Sequence, residues 1–177
     1  MPLPELTLVT GGSRSGKTAY AQRLALPFQH RAYVATAEAL DAEMADRIRR
    51  HRADRADRFT TVEEPIDLAG TLGRLPAGCE VALIDCLTVW LGNLMHRHGP
   101  QPEPYAELDA FVAALRHPPC PLIIVTNEVG SGIVPPDAAT RCFRDHAGWL
   151  NQRVALLANR VVLVACGLPL ALKGSPA

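Results

Sequence analysis

Leu6-Thr7-Leu8-Val9-Thr10-Gly11-Gly12-Ser13-Arg14-Ser15-Gly16-Lys17-Thr18 is the stretch that decides the fold. Its first five residues are apolar or β-branched and read as a buried strand. The eight from Gly11 to Thr18 satisfy G-x-x-x-x-G-K-[ST] without a mismatch, and helix formers follow over 18–26, up to Pro27. Strand, glycine turn and helix form the context that gives this pattern its meaning as a phosphate-binding loop. The residue types follow from the chemistry of a polyphosphate. Gly11, Gly12 and Gly16 let the backbone wrap the anion, while successive N–H groups through Ser13, Arg14 and Ser15 and the helix N-terminus bind its oxygens. Lys17 neutralises β/γ charge and Thr18 ligates Mg²⁺. The motif predicts a nucleoside triphosphate with Mg²⁺, and leaves the acceptor open.

Working outward, strands alternate with helices. Residues 31–36 read as a second strand. A charged helix is expected over 40–58, with Leu40, Met44 and Ile48 recurring at intervals of four as its packed stripe. After a short segment at 59–63 come a helix over 65–75 and a turn at 76–78. Val81-Ala82-Leu83-Ile84 is a fully buried parallel strand closed by Asp85, and a helix over 87–98 follows it. The proline-rich 99–104 reads as a surface loop, not a domain boundary. Beyond it come a helix over 105–116, a strand over 122–126, a long helix over 137–159, a strand over 161–165 and an edge strand over 168–172. This alternation predicts an α/β fold with a mostly parallel sheet covered on both faces.

The 177 residues suit one domain, 1–177, and eighteen basic residues balance eighteen acidic ones. That balance removes the electrostatic case for a nucleic-acid or anionic-membrane partner and points to small substrates. No apolar run is long enough to span a bilayer and no secretion-signal pattern opens the chain, so the expected location is the cytoplasm. The five cysteines form no C-x-x-C and read as small apolar residues in a reducing compartment. Only Lys17 and Lys173 are lysines.

Three further places carry chemistry. A phosphate loop needs a second Mg²⁺ support, usually an acid ending a neighbouring buried strand, and Asp85 is the candidate. From Arg47 to Arg58 the sequence RIRRHRADRADR holds six arginines; at helical spacing Arg47, His51 and Arg55 share a face with Asp54 in reach of His51. The patch suits an anionic ligand, and its guanidinium groups are expected to keep the His51 imidazole neutral. Periodicity alone favours the plainer reading, a solvated helix laced with Arg–Asp pairs. Asn127-Glu128 ends a strand where parallel-sheet enzymes bind ligands, making Glu128 a candidate for Mg²⁺ or substrate, or else a carboxylate bracing its loop. The stretch 131–136 suits a flap. The remaining histidines, at 30, 96, 98, 117 and 146, show no ligand-like spacing.

The chain resembles the bifunctional adenosylcobinamide kinase / adenosylcobinamide-phosphate guanylyltransferase family of cobalamin biosynthesis. The likeness runs from the phosphate loop to the last strand, through Tyr33-Val-Ala-Thr-Ala37, Asp41-Ala-Glu-Met44, Arg47-Ile-Arg-Arg-His51, Thr61-Val-Glu63 and Leu83-Ile-Asp-Cys-Leu-Thr88. Its most specific parts are Thr126-Asn-Glu-Val-Gly-Ser-Gly-Ile-Val-Pro135 and Phe143-Arg-Asp-x-x-Gly-x-x-Asn-Gln152. The resemblance implies a RecA-like P-loop NTPase fold with an antiparallel edge strand, and homo-oligomers, with a trimer expected. It implies phosphorylation of adenosylcobinamide by ATP or GTP, then attack of a histidine on the α-phosphate of GTP and transfer of GMP to adenosylcobinamide phosphate. By motif position that histidine is His51. GTP contacts carry over to the phosphate loop, to Ala35, Thr36 and Ala37, to Arg52, Ala53, Asp54 and Arg55, to Glu63 and to Asp85. Two other readings stay open on the residues alone: a monofunctional kinase whose His51 decorates a basic helix, and a nucleotide-dependent assembly module.

Overall fold

The computed structural model describes residues 5–39 and 42–175, with the side chains at 44, 47, 51 and 54–56 outside that description. In chain order its elements are β1 (Leu6–Thr10), α1 (Lys17–Ala25), β2 (Arg31–Ala35), α2 (Ala42–Arg55) running into a 3₁₀ turn (Ala56–Arg58), β3 (Thr60–Glu63), α3 (Leu68–Leu72), β4 (Val81–Asp85), α4 (Leu87–His98), α5 (Ala106–Ala114), β5 (Leu122–Val125), α6 (Ala138–Leu157), β6 (Arg160–Ala165) and β7 (Leu168–Lys173).

The strands form one seven-stranded sheet in the order β3-β2-β4-β5-β1-β6-β7, parallel throughout except for β7, which pairs antiparallel with β6 at the edge. The central strands are apolar on both faces, as strands sandwiched between layers must be. On one face Leu8, Val34, Ile84 and Ile124 pack with α3, α4, α5 and α6, around the fully buried Trp90. Trp90 meets Phe111 edge to face at 5.2 Å, and its indole N–H donates to the Ile66 carbonyl at 2.8 Å. On the other face Val9, Leu83, Val125 and Val162 pack with Tyr20, Ala21 and Ala25 of α1. No described side chain of α2 belongs to either core.

One strand, β5, separates β1, which feeds the phosphate loop, from β4, which ends in Asp85. The mostly parallel sheet with an antiparallel edge strand agrees with the expected α/β architecture.

The elements differ from their sequence expectations at the ends, for identifiable reasons. The helix expected over 65–75 shrinks to α3 because Glu64 Oε1 accepts the N–H groups of Ile66 and Asp67 in a turn, and Asp67 then caps the helix by accepting Gly70 N–H at 2.8 Å. Gly73 ends it. The helix expected over 40–58 has Leu40 outside the described residues and tightens into the 3₁₀ turn after Arg55. The segment at 59–63 becomes β3 by pairing with β2, with Val34 opposite Val62. Asp137 caps α6 through Thr140 N–H at 2.7 Å.

Candidate active site

The phosphate loop is held from outside as well as by its own glycines. Gly11 has φ 156°, and a β-carbon there would lie 2.4 Å from the Val164 carbonyl oxygen, so only glycine lets the loop press against β6. Gly16, at φ 92°, opens α1 against Gly167 in the β6–β7 turn, whose N–H donates to the Ser15 carbonyl at 2.9 Å. The Glu128 N–H donates to the Gly11 carbonyl at 3.1 Å, tying the end of β5 to the loop. Lys17 is only 8% exposed, and its Nζ donates to the Gly12 carbonyl at 3.0 Å. The ammonium is thereby held inside the curl of the loop, where a polyphosphate would be wrapped.

In front of the loop, beyond the C-terminal ends of the parallel strands, lies a cleft of about 390 Å³. Such crevices are where open parallel sheets bind ligands. Of the residues expected in the site, Ser13, Arg14, Lys17, Thr18, Ala35, Ala37, Glu63 and Asp85 line it. Asn127 and Glu128 line it from the loop just past β5, and Ile48 lines it from α2. The Thr18 hydroxyl and the Asp85 carboxylate are hard oxygen donors facing the same space, a set that fits Mg²⁺ completed by phosphate oxygens and water. Among the described residues no group of three or more His, Cys, Asp or Glu side chains forms a closed metal cage, and Mg²⁺ at a phosphate site does not need one.

Tyr33 and Thr88 were not singled out from the sequence. The Tyr33 hydroxyl donates to Asp85 Oδ2 and fixes that carboxylate, a contact made by the pairing of β2 with β4, in which Ala35 lies opposite Asp85. Behind it, the Thr88 hydroxyl accepts from Asn127 Nδ2 at 2.6 Å and lies 2.9 Å from Cys86 Sγ. Burial, and next the negative charge of Asp85, push the Cys86 thiol up, so it stays protonated at neutral pH.

Thr36, expected as a nucleotide contact, is fully buried and is not among the cleft-lining residues. Its Oγ1 accepts the Cys86 N–H at 2.9 Å and lies 3.1 Å from both the Asp85 and Cys86 carbonyls, while its own carbonyl accepts from Asn93 Nδ2 at 2.7 Å. The side chain is a staple between the ends of β2 and β4. Arg52 and Glu63, both expected to touch GTP, form an ion pair with each other across from the loop. Both are more than half exposed, so the pair contributes at most about 1 kcal/mol and exchanges readily for a ligand. Ala53 is exposed on α2. His51 lies on the same helix, and its side chain, with those of Asp54 and Arg55, falls outside the described residues.

The model of the family described as cobinamide kinase / cobinamide phosphate guanyltransferase matches residues 7–172. The chain belongs to that family. It is thus an enzyme of adenosylcobalamin biosynthesis with kinase and guanylyltransferase activities and a nucleotide-binding phosphate loop. Among relatives, it is 43% identical over 170 residues to the bifunctional adenosylcobalamin biosynthesis protein CobP of Pseudomonas aeruginosa, covering 96% of this chain and 98% of that one. It is 38% identical to the bifunctional adenosylcobalamin biosynthesis protein CobU of Escherichia coli, over 95% of this chain and 99% of the relative. Among solved structures, the RadB recombinase superposes with a TM-score of 0.49 at 19% identity, over 91% of this chain and 74% of that one. No helix among the described residues is long and apolar enough to cross a membrane.

Proposed function

We propose that the chain works as a single nucleotide-binding and catalytic domain that performs two reactions in one cleft. It phosphorylates the aminopropanol hydroxyl of adenosylcobinamide with ATP or GTP, and then transfers GMP from GTP to adenosylcobinamide phosphate through a guanylyl-histidine at His51. One observation carries this reading: the cleft in front of Lys17, Thr18 and Asp85 is also lined by Ile48, on the helix that bears His51 three residues further on. Arg52, the next residue, pairs with Glu63 at the rim of the same cleft. Residues three and four apart share a helix face, so the face of α2 that meets the cleft is the one on which position 51 falls.

In the kinase step Lys17 and the loop N–H groups hold the β- and γ-phosphates and Arg14 adds charge from the rim. Mg²⁺, held by Thr18 and Asp85, would neutralise charge on the departing diphosphate. In the transfer step the His51 imidazole forms a bond to the α-phosphorus and pyrophosphate leaves; the cobinamide phosphate oxygen then displaces the imidazole. One cleft has to present the γ-phosphate for the first reaction and the α-phosphate for the second. Movement of α2 along the cleft would let the one site serve both reactions. The same reading makes the enzyme cytoplasmic and homo-oligomeric, as a trimer, with no nucleic-acid or membrane partner. The exposed Leu168, Leu170 and Leu172 of β7 are apolar surface of the kind subunit contacts cover.

Incubation with α-phosphate-labelled GTP and Mg²⁺, without acceptor, gives an acid-labile, base-stable protein label in wild type and none in His51→Ala, while the variant still phosphorylates adenosylcobinamide. Label in the variant, or loss of both activities together, overturns the assignment of His51.

A further inference from the structure

Three carboxylates line the cleft, and they differ in what already holds them. Glu63, ending β3, is paired with Arg52. Asp85, ending β4, accepts the Tyr33 hydroxyl and lines the same cleft as Thr18, with which it would hold Mg²⁺. Glu128, just past β5, has one oxygen fixed by the Gly130 N–H at 2.8 Å, and its other oxygen takes no hydrogen bond from a described residue. Strand spacing separates them further. Adjacent strands lie about 4.8 Å apart, so β3 is about 19 Å and β4 about 10 Å from the strand that feeds the phosphate loop, whereas β5 is its immediate neighbour. The bond from the Glu128 N–H to the Gly11 carbonyl fixes that short separation in the backbone itself. Glu128 is also exposed where it lines the cleft, so a solvent-borne acceptor can reach it.

We infer that Glu128 is the proton acceptor of the phosphoryl-transfer step, an inference that rests on the kinase reading above. The acceptor alcohol approaches the γ-phosphate held at Lys17. As its oxygen bonds to the γ-phosphorus and the bond to the β,γ-bridging oxygen breaks, the hydroxyl proton passes to the free Glu128 oxygen and the nucleoside diphosphate leaves. Gly130 N–H holds the carboxylate turned toward the rim through this transfer. Glu128 has no part in the guanylyl transfer, whose nucleophiles are an imidazole and a phosphate dianion that carry no proton to remove.

Glu128→Gln separates these roles, because the amide oxygen still accepts from Gly130 while the group loses its basicity. Single-turnover phosphorylation of adenosylcobinamide is expected to slow by about 10²-fold or more. Nucleotide affinity, labelling from α-labelled GTP, and GMP transfer to preformed adenosylcobinamide phosphate are expected to stay at wild-type levels. Glu128→Asp, with a shorter but basic side chain, recovers part of the lost rate. Phosphorylation within a few-fold of wild type overturns the inference, and so does a parallel loss of nucleotide binding and labelling, which would make Glu128 a nucleotide or metal ligand. Wild type failing to phosphorylate adenosylcobinamide would instead remove the kinase reading on which it rests.

Discussion

Thr36→Val replaces a buried hydroxyl by a methyl group of nearly the same shape, so the lost hydrogen bonds dominate its effect. The Cys86 N–H, which Oγ1 accepts at 2.9 Å, is left buried and unpaired, at about 1–3 kcal/mol. The Asp85 carbonyl keeps the Thr36 backbone N–H at 3.1 Å, but the Cys86 carbonyl loses its hydroxyl donor, at about 1 kcal/mol. The sum, about 2–4 kcal/mol, corresponds to a fall in Tm of about 5–12 °C for a chain of this size. Thr36→Ser keeps the hydroxyl, loses one methyl group and is expected within about 1 kcal/mol of wild type. Chemical and thermal unfolding of the three proteins, with nucleotide affinity measured alongside, separates a strand staple from a ligand contact. A Thr36→Val protein as stable as wild type but unable to bind nucleotide would refute the staple.

Gly11→Ala is expected to destabilise the chain by about 1–3 kcal/mol and to weaken nucleotide binding at least tenfold, since its β-carbon would lie 2.4 Å from the Val164 carbonyl and 2.7 Å from Ser15 Oγ. Gly12→Ala, whose β-carbon meets nothing within 4 Å, leaves unfolding unchanged. The carboxyl groups of Asp67 and Asp137 are held below their usual 3.8, first by the helix N–H groups of Gly70 and Thr140 that they cap. A depressed carboxylate stabilises the fold fully above its unfolded value, and that contribution fades as pH falls below 3.8 through the folded value. Asn at both positions keeps the caps and removes the titration, so acid unfolding of Asp67→Asn/Asp137→Asn is expected to show a shallower loss of stability below that pH.

Local pattern was enough for much of this molecule. The strand–loop–helix from Leu6 through α1, the buried β4 closed by Asp85, and the caps and breaks around α6 are all written in neighbouring residues, and the structure forms them. Contacts set by register were not legible. Nothing near Tyr33 announces that β2 will pair with β4 so that its hydroxyl fixes Asp85, nor near Thr36 that its hydroxyl will meet Cys86 fifty residues on. β3 escaped a strand assignment because its residues, mostly exposed, acquire extended structure by pairing with β2. Arg52 and Glu63 carried the right charge for a ligand, but only the fold brings them to each other. Glu128 is ambiguous between ligand and brace in the sequence, and in the structure one of its oxygens braces the loop through the Gly130 N–H while the residue also lines the cleft.

The account depends on one covalent intermediate passing its GMP to the product of the first reaction. Labelled protein, freed of GTP and then given adenosylcobinamide phosphate, is predicted to surrender its label to the corrinoid as the GDP derivative, at a rate no slower than overall turnover. Label that stays on the protein, or leaves only as free GMP, would contradict it.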